Sequence, residues 1–83
     1  MSKEIEKEVI QMLSEMTDFD VIEITPDKQI VRDLGVDSLK VIEIATAIEQ
    51  KFKITVKESQ MKKIKTVSDA IRLIQDSVKR KRK

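Results

Sequence analysis

The sequence predicts an all-α domain, with three longer helices, one short helix and a long structured loop between helices 1 and 2. Three observations carry this. A single Gly and a single Pro among 83 residues leave few interior helix breakers. Apolar residues recur at three- and four-residue intervals in three separate stretches. A chain of this length buries only about 60% of its unfolded surface, which is enough for one core and not for two.

The first helix is read from Ile5, Val9, Met12, Leu13 and Met16, with Lys3, Glu4, Lys7, Glu8, Gln11 and Glu15 on the other side. It should end near Thr17-Asp18. From there to Asp37 no period is sustained, and Thr25-Pro26-Asp27 and Gly35 are breaker signals. Val21, Ile22, Ile24, Ile30, Val31 and Leu34 make this loop too apolar to be a solvated linker. It is expected to lie across the core, with one helical turn opened by Thr25 and Pro26. Asp37 is a good N-cap for the second helix and places Ser38 at its first position. Val41, Ile44, Ala45, Ile48 and Phe52 then fall within an arc of about 100°, the width of a core-facing stripe. Leu39 projects from nearly the opposite side, among Lys40, Glu43, Thr46 and Gln50, with Ile42 and Ala47 at the margins. After Ile54 and Val56, residues 57–63 suit one or two helical turns. Thr66, with Asp69 three residues on, opens the last helix, whose stripe is Val67, Ala70, Ile71, Ile74 and Val78. The domain is taken as residues 1–78, and 79–83 as a basic C-terminal tail, Lys-Arg-Lys-Arg-Lys.

Composition excludes much chemistry. With no His and no Cys there is no Ser-His or Cys-His nucleophile pair, no Cys/His zinc site and no disulfide. No catalytic residue and no metal ligand set is expected. No stretch approaches the roughly 20 apolar residues that span a bilayer, and the start of the chain alternates Lys and Glu instead of forming an apolar run. A cytoplasmic protein without a transmembrane segment is the reading. The formal charge of +2 conceals an asymmetry: residues 1–50 hold 5 Lys+Arg against 12 Asp+Glu, a net of −7, and residues 51–83 hold 12 against 3, a net of +9. Such a split suits a basic arm for nucleic acid, attraction between the halves, or two docking surfaces.

Chemistry is most concentrated at Asp33-Leu34-Gly35-Val36-Asp37-Ser38-Leu39. A turn glycine and an N-cap aspartate present a serine at a helix start, where free N–H groups and the helix dipole favour a phosphate. A serine beside its cap is also a common structural event with no chemistry attached.

From Ile5 to Ile74, however, the chain resembles the acyl carrier proteins, four-helix domains that carry 4'-phosphopantetheine on the serine of an Asp-Ser-Leu motif. The resemblance rests on Asp-Leu-Gly-Val-Asp-Ser-Leu together with Glu43, Ala47-Ile48-Glu49, Phe52 and Ile64-Lys65-Thr66-Val67-Ser68-Asp69-Ala70. It implies a small four-helix bundle that catalyses nothing itself. Ser38 would receive the arm from coenzyme A through a phosphopantetheinyl transferase, with Asp37 and Leu39 beside it. The arm's thiol would hold acyl groups as thioesters for a loading enzyme, a ketosynthase or an acyltransferase, and the carrier would act as a monomer. Leu39, Lys40, Glu43 and Glu49 would meet partners, Glu49 having the alternative of pairing with lysines along its helix. Ala45, Ile48, Phe52, Ile64, Val67 and Ala70 would bound an acyl cleft.

The chain departs from fatty-acid-synthesis carriers in charge. Lys40 follows Ser38-Leu39, Gln50 and Lys51 close the second helix, and Lys57, Lys62 and Lys63 make the third segment basic. The reading is a carrier for a fatty-acid or polyketide-type pathway. The alternative is an aminoacyl or peptidyl carrier of a nonribosomal pathway, where Asp-Ser-Leu-Lys is frequent. A remote alternative is a small basic domain binding nucleic acid through residues 79–83, although only Phe19 and Phe52 are available for base stacking. Specific nucleic-acid binding is not expected.

Overall fold

The computed structural model describes residues 2–81. They form four helices: α1 (Ser2–Met16), α2 (Ser38–Phe52), α3 (Glu58–Lys63) and α4 (Val67–Lys81), and no strand occurs among them. α1 packs chiefly on α4 and also on α2, which meets α4 in turn. The core takes Val9, Met12 and Leu13 from α1, Ile44, Ala45 and Ile48 from α2, and Val67, Ala70, Ile71 and Ile74 from α4. These are the stripe residues expected from the 3.6-residue period, and full burial of one such large side chain contributes about 1.5–3 kcal/mol. α3 buries no residue fully. Its Met61 packs against the core from outside.

The loop from 17 to 37 supplies Ile24, Ile30, Leu34 and Val36 to the core. The loop thus lies across the core, while its Val21, Ile22 and Val31 are exposed, Ile22 to 87%. The expected helical turn is displaced. It is a 3₁₀ turn at Val21–Glu23, closed by the Glu23 carboxylate accepting from the Asp20 N–H at 2.8 Å. Thr25 and Pro26 instead open a β-turn in which the Lys28 N–H donates to the Thr25 carbonyl at 3.0 Å. Here the Thr25 hydroxyl is the main reason the Asp27 carboxyl lies below its ordinary range.

Backbone bonds then fasten the loop to the start of α4. The N–H groups of Val67 and Ser68 donate to the carbonyls of Lys28 and Pro26, each at 2.9 Å, and the Ile30 N–H donates to the Lys65 carbonyl at 2.9 Å. A helix's first N–H groups have no partners within the helix, so here loop carbonyls satisfy donors that would otherwise need water. The Asp69 N–H donates to Thr66 Oγ1 at 3.1 Å, and Asp69 Oδ2 accepts from the N–H groups of Thr66 (3.1 Å) and Lys65 (3.0 Å). Those bonds, Thr66 first and then Lys65, hold the Asp69 carboxyl below its ordinary value. α4 runs on through Lys79 and Arg80 to Lys81, so the first part of the basic run is helical. Arg82 and Lys83 lie outside the described residues.

Candidate functional site

The start of α2 is set by the residues before it. Gly35 has φ +66°, the left-handed region that residues with a side chain rarely adopt. A Cβ there would meet nothing within 4 Å, so backbone conformation and not crowding selects glycine. Leu34 and Val36 on either side are buried, which pins the turn to the core. Asp33 Oδ2 accepts from the Gln29 N–H at 2.8 Å and closes the preceding turn.

Asp37 then caps the helix in extended conformation. Its Oδ1 accepts from the Lys40 N–H at 2.8 Å and its carbonyl from the Val41 N–H at 3.0 Å. Ser38 follows as the first residue of α2 and is exposed. Among the described residues, no group takes the N–H of Ser38 or Leu39. Ser38 Oγ therefore stands in solvent beside two free donors at the positive end of a 15-residue helix, where an attached phosphodiester is favoured.

Around it, Leu39 is 70% exposed and Ile42, one turn on, 51%. Lys40 Nζ pairs with Glu43 Oε1 at 3.4 Å, so two expected partner-facing charges neutralise each other on the free protein. Lys40 opposes the helix dipole, and this pair offsets part of that cost. Among the described residues, Glu49 has no ion pair along the helix. Its Oε2 accepts from the Val56 N–H at 2.8 Å, which draws the α2–α3 connection back so that Val56 is buried and Ile54 packs on the core. The other expected role of Glu49, a charge presented to partners, thus shares its carboxylate with a structural bond.

One turn beyond Ser38, Val41 begins the wall of an apolar cavity of about 240 Å³ between α2, α3, the loop and α4. Of the residues expected at an acyl cleft, Ala45, Ile48, Ile64 and Ala70 line it. Val67 and Phe52 are not among its lining: Val67 is fully buried in the core and Phe52 is partly buried against it. The loop contributes Ile30 and Val31, α2 also Val41 and Ile44, and α3 Met61 and Lys62. Sequence reasoning missed these. Only Val41 and Ile44 carried a signal, as members of the same stripe.

A family model described as the phosphopantetheine attachment site matches residues 7–74. This chain belongs to the acyl carrier protein family. Its relatives include the acyl carrier proteins of Helicobacter pylori strain ATCC 700392 / 26695, 34% identical over 86% of this chain and 91% of that one, and of Thermobifida fusca strain YX, 42% identical over 84% and 94%. A solved structure of the acyl carrier protein from Enterococcus faecalis superposes with a TM-score of 0.81 at 26% identity, covering 93% of this chain and 98% of that one. The family's cofactor is phosphopantetheine, and its members are carriers and not catalysts. The geometry fits that cofactor: a solvent-facing hydroxyl and, among the described residues, free amide donors beside it. No helix among the described residues is long and apolar enough to cross a membrane.

Proposed function

We propose that Ser38 is the attachment point of 4'-phosphopantetheine and that the chain carries acyl intermediates between cytoplasmic enzymes of a fatty-acid or polyketide-type pathway. The observation that carries this is the exposure of Ser38 at the first position of α2, directly after the Asp37 cap and the left-handed Gly35 turn. When bound, the arm supplies a terminal thiol that holds an acyl group as a thioester. The chain's own residues do the rest. The Asp37 cap fixes the first turn, so that Ser38 Oγ faces the incoming transferase. The N–H groups of Ser38 and Leu39 would hold the phosphate. Leu39, with Ile42 on the same exposed face, gives partners an apolar grip beside the arm, and Lys40, Glu43 and Glu49 add charge to that surface.

In the transferase step a bond forms between Ser38 Oγ and the phosphorus that bears pantetheine, and the diphosphate bond of coenzyme A breaks. Adenosine 3',5'-bisphosphate leaves, and the transferase takes the serine proton. Nothing in the chain need act as a base. Residues 1–78 serve as the carrier unit, ending where Val78 makes the last apolar contact of α4, and residues 79–83 extend it as a basic tail.

Coexpression with a broad-specificity phosphopantetheinyl transferase should add the mass of one phosphopantetheine. Ser38→Ala should fold and stay unmodified. An unchanged wild-type mass, or modification at another serine, overturns the assignment. The surface lysines set which enzymes are served, because like charges across an interface select against wrong partners. Lys40→Asp combined with Lys63→Glu should speed cargo transfer to an enzyme built for an acidic carrier, mainly at low ionic strength. Equal rates for wild type and variant at low salt would show that these lysines do not govern partner choice.

A further inference from the structure

The apolar cavity beside α2 is not lined by apolar residues alone. Lys62 is the one charged residue among the ten that line it. Val31 and Ile64 also line a second, more open cleft of about 400 Å³, whose other walls are Gln29, Arg32 and Lys65. Val31 and Ile64 border both spaces, so the apolar cavity and the cationic cleft are immediate neighbours.

Arg32, Lys62 and Lys65 are exposed and make no ion pair among the described residues. The pairs Lys40–Glu43, Lys51–Glu8 and Arg72–Asp69 do not involve them. Two of the acids close to them in sequence hold backbone bonds. The Asp33 carboxylate accepts from the Gln29 N–H, and the Asp69 carboxylate accepts from the Lys65 and Thr66 N–H groups and from Arg72. Glu58, one turn before Lys62 on α3, makes no ion pair with it. Meanwhile the backbone bond from Ile30 to Lys65 joins the loop to the segment before α4, so Arg32 and Lys65 are carried by two segments tied together.

Resting on the carrier reading, we propose that the cargo is an acyl chain of medium length that bears a carboxylate at its far end. The cavity of about 240 Å³ exceeds the roughly 150 Å³ void that accepts a benzene, and suits about six to nine carbons. The thioester end enters from the Ser38 side. The methylenes lie against Val41, Ile44, Ala45 and Ile64. The terminal carboxylate reaches the cleft where Arg32 and Lys65 present donors, with Lys62 at the cavity wall. A methyl-ended chain of the same length buries the same hydrocarbon and leaves the three cations without a partner.

Phosphopantetheinyl transferase acting on octanoyl-CoA or suberyl-CoA places either acyl arm directly on Ser38, independently of the natural loading enzyme. Thioester hydrolysis is then followed by intact mass, each rate normalised to the matching free pantetheine thioester. Methyl resonances of Ile30, Val31 and Ile64 are recorded on the same samples. The suberyl form should hydrolyse about two- to fivefold more slowly than the octanoyl form at low salt, the range expected of partly exposed ion pairs. That advantage should vanish in high salt and in Arg32→Gln/Lys65→Gln, with Lys62→Gln alone reducing it. Both cargoes should shift the three methyl resonances. Equal protection of the two cargoes, or a suberyl advantage that survives in the double variant, overturns the proposal while leaving the carrier reading intact. Failure of either arm to attach to Ser38 overturns the carrier reading itself.

Discussion

Replacing Gly35 separates a backbone requirement from a packing requirement at the turn that presents Ser38. The residue sits at φ +66° with open space where a Cβ would go. For alanine, the left-handed conformation costs about 1–2 kcal/mol. Against this, alanine restricts the unfolded chain and recovers about 0.4–1 kcal/mol. The net expectation for Gly35→Ala is a loss of about 1 kcal/mol, or roughly 4–8 °C in Tm for a domain of this size. Asparagine tolerates left-handed backbone, so Gly35→Asn should lose less than alanine, and the β-branched Gly35→Val should lose more. Urea unfolding followed by circular dichroism measures the order. Each folded variant should still be modified at Ser38, because the Asp37 cap lies beyond the turn. If Ala and Asn cost the same, or if Gly35→Ala is stabilising, the left-handed backbone is not what selects glycine here.

Two other carboxylates carry structural predictions. Asp69→Ala removes the acceptor for two N–H groups at the start of α4 and should cost about 1 kcal/mol at neutral pH in denaturant titration. Because the folded-state value lies below the ordinary 3.8, this stabilisation is complete above that pH and is lost as pH falls through the lower folded value, so the gap between wild type and variant should close in acid. Glu49→Ala leaves the Val56 N–H without its acceptor and should cost about 1–2 kcal/mol, whereas Glu49→Gln keeps an acceptor and should cost less. Amide exchange at Val56 should speed up in the alanine variant and stay near wild type in the glutamine one.

The helices were legible because burial follows the 3.6-residue period: Val9, Leu13, Ile48, Val67 and Ile74 are all at or near full burial. The caps were legible because Asp37, Thr66 and Asp69 are the residue types that accept from helix-start N–H groups. The loop was harder for a physical reason. Without a period, an apolar residue signals that something is buried nearby but not which side chain turns inward, so Ile24 and Ile30 went in while Ile22 and Val31 stayed out. Its fastening to α4 uses the carbonyls of Pro26 and Lys28, which every residue type possesses. No side-chain pattern encodes that bond.

The cavity sharpens the same distinction. Membership of a stripe says that a side chain faces inward, and Val67 and Phe52 do face inward. Whether an inward side chain meets another side chain or borders a void depends on how far the opposing segment stands off. Here the opposing segments are α3, which buries nothing fully, and the loop around Ile30 and Val31, which is tied by its backbone to Lys65. Those two segments hold off from α2, and the space between them is roofed by Met61, Ile64 and Val31. A short helix without a buried residue can shift outward at little cost in apolar contact, since opening free energy falls where few buried contacts oppose it. The weak anchoring of α3 and the presence of the cavity are therefore one feature: if the cavity takes an acyl chain as proposed, the segment that makes least core contact is the one that would yield.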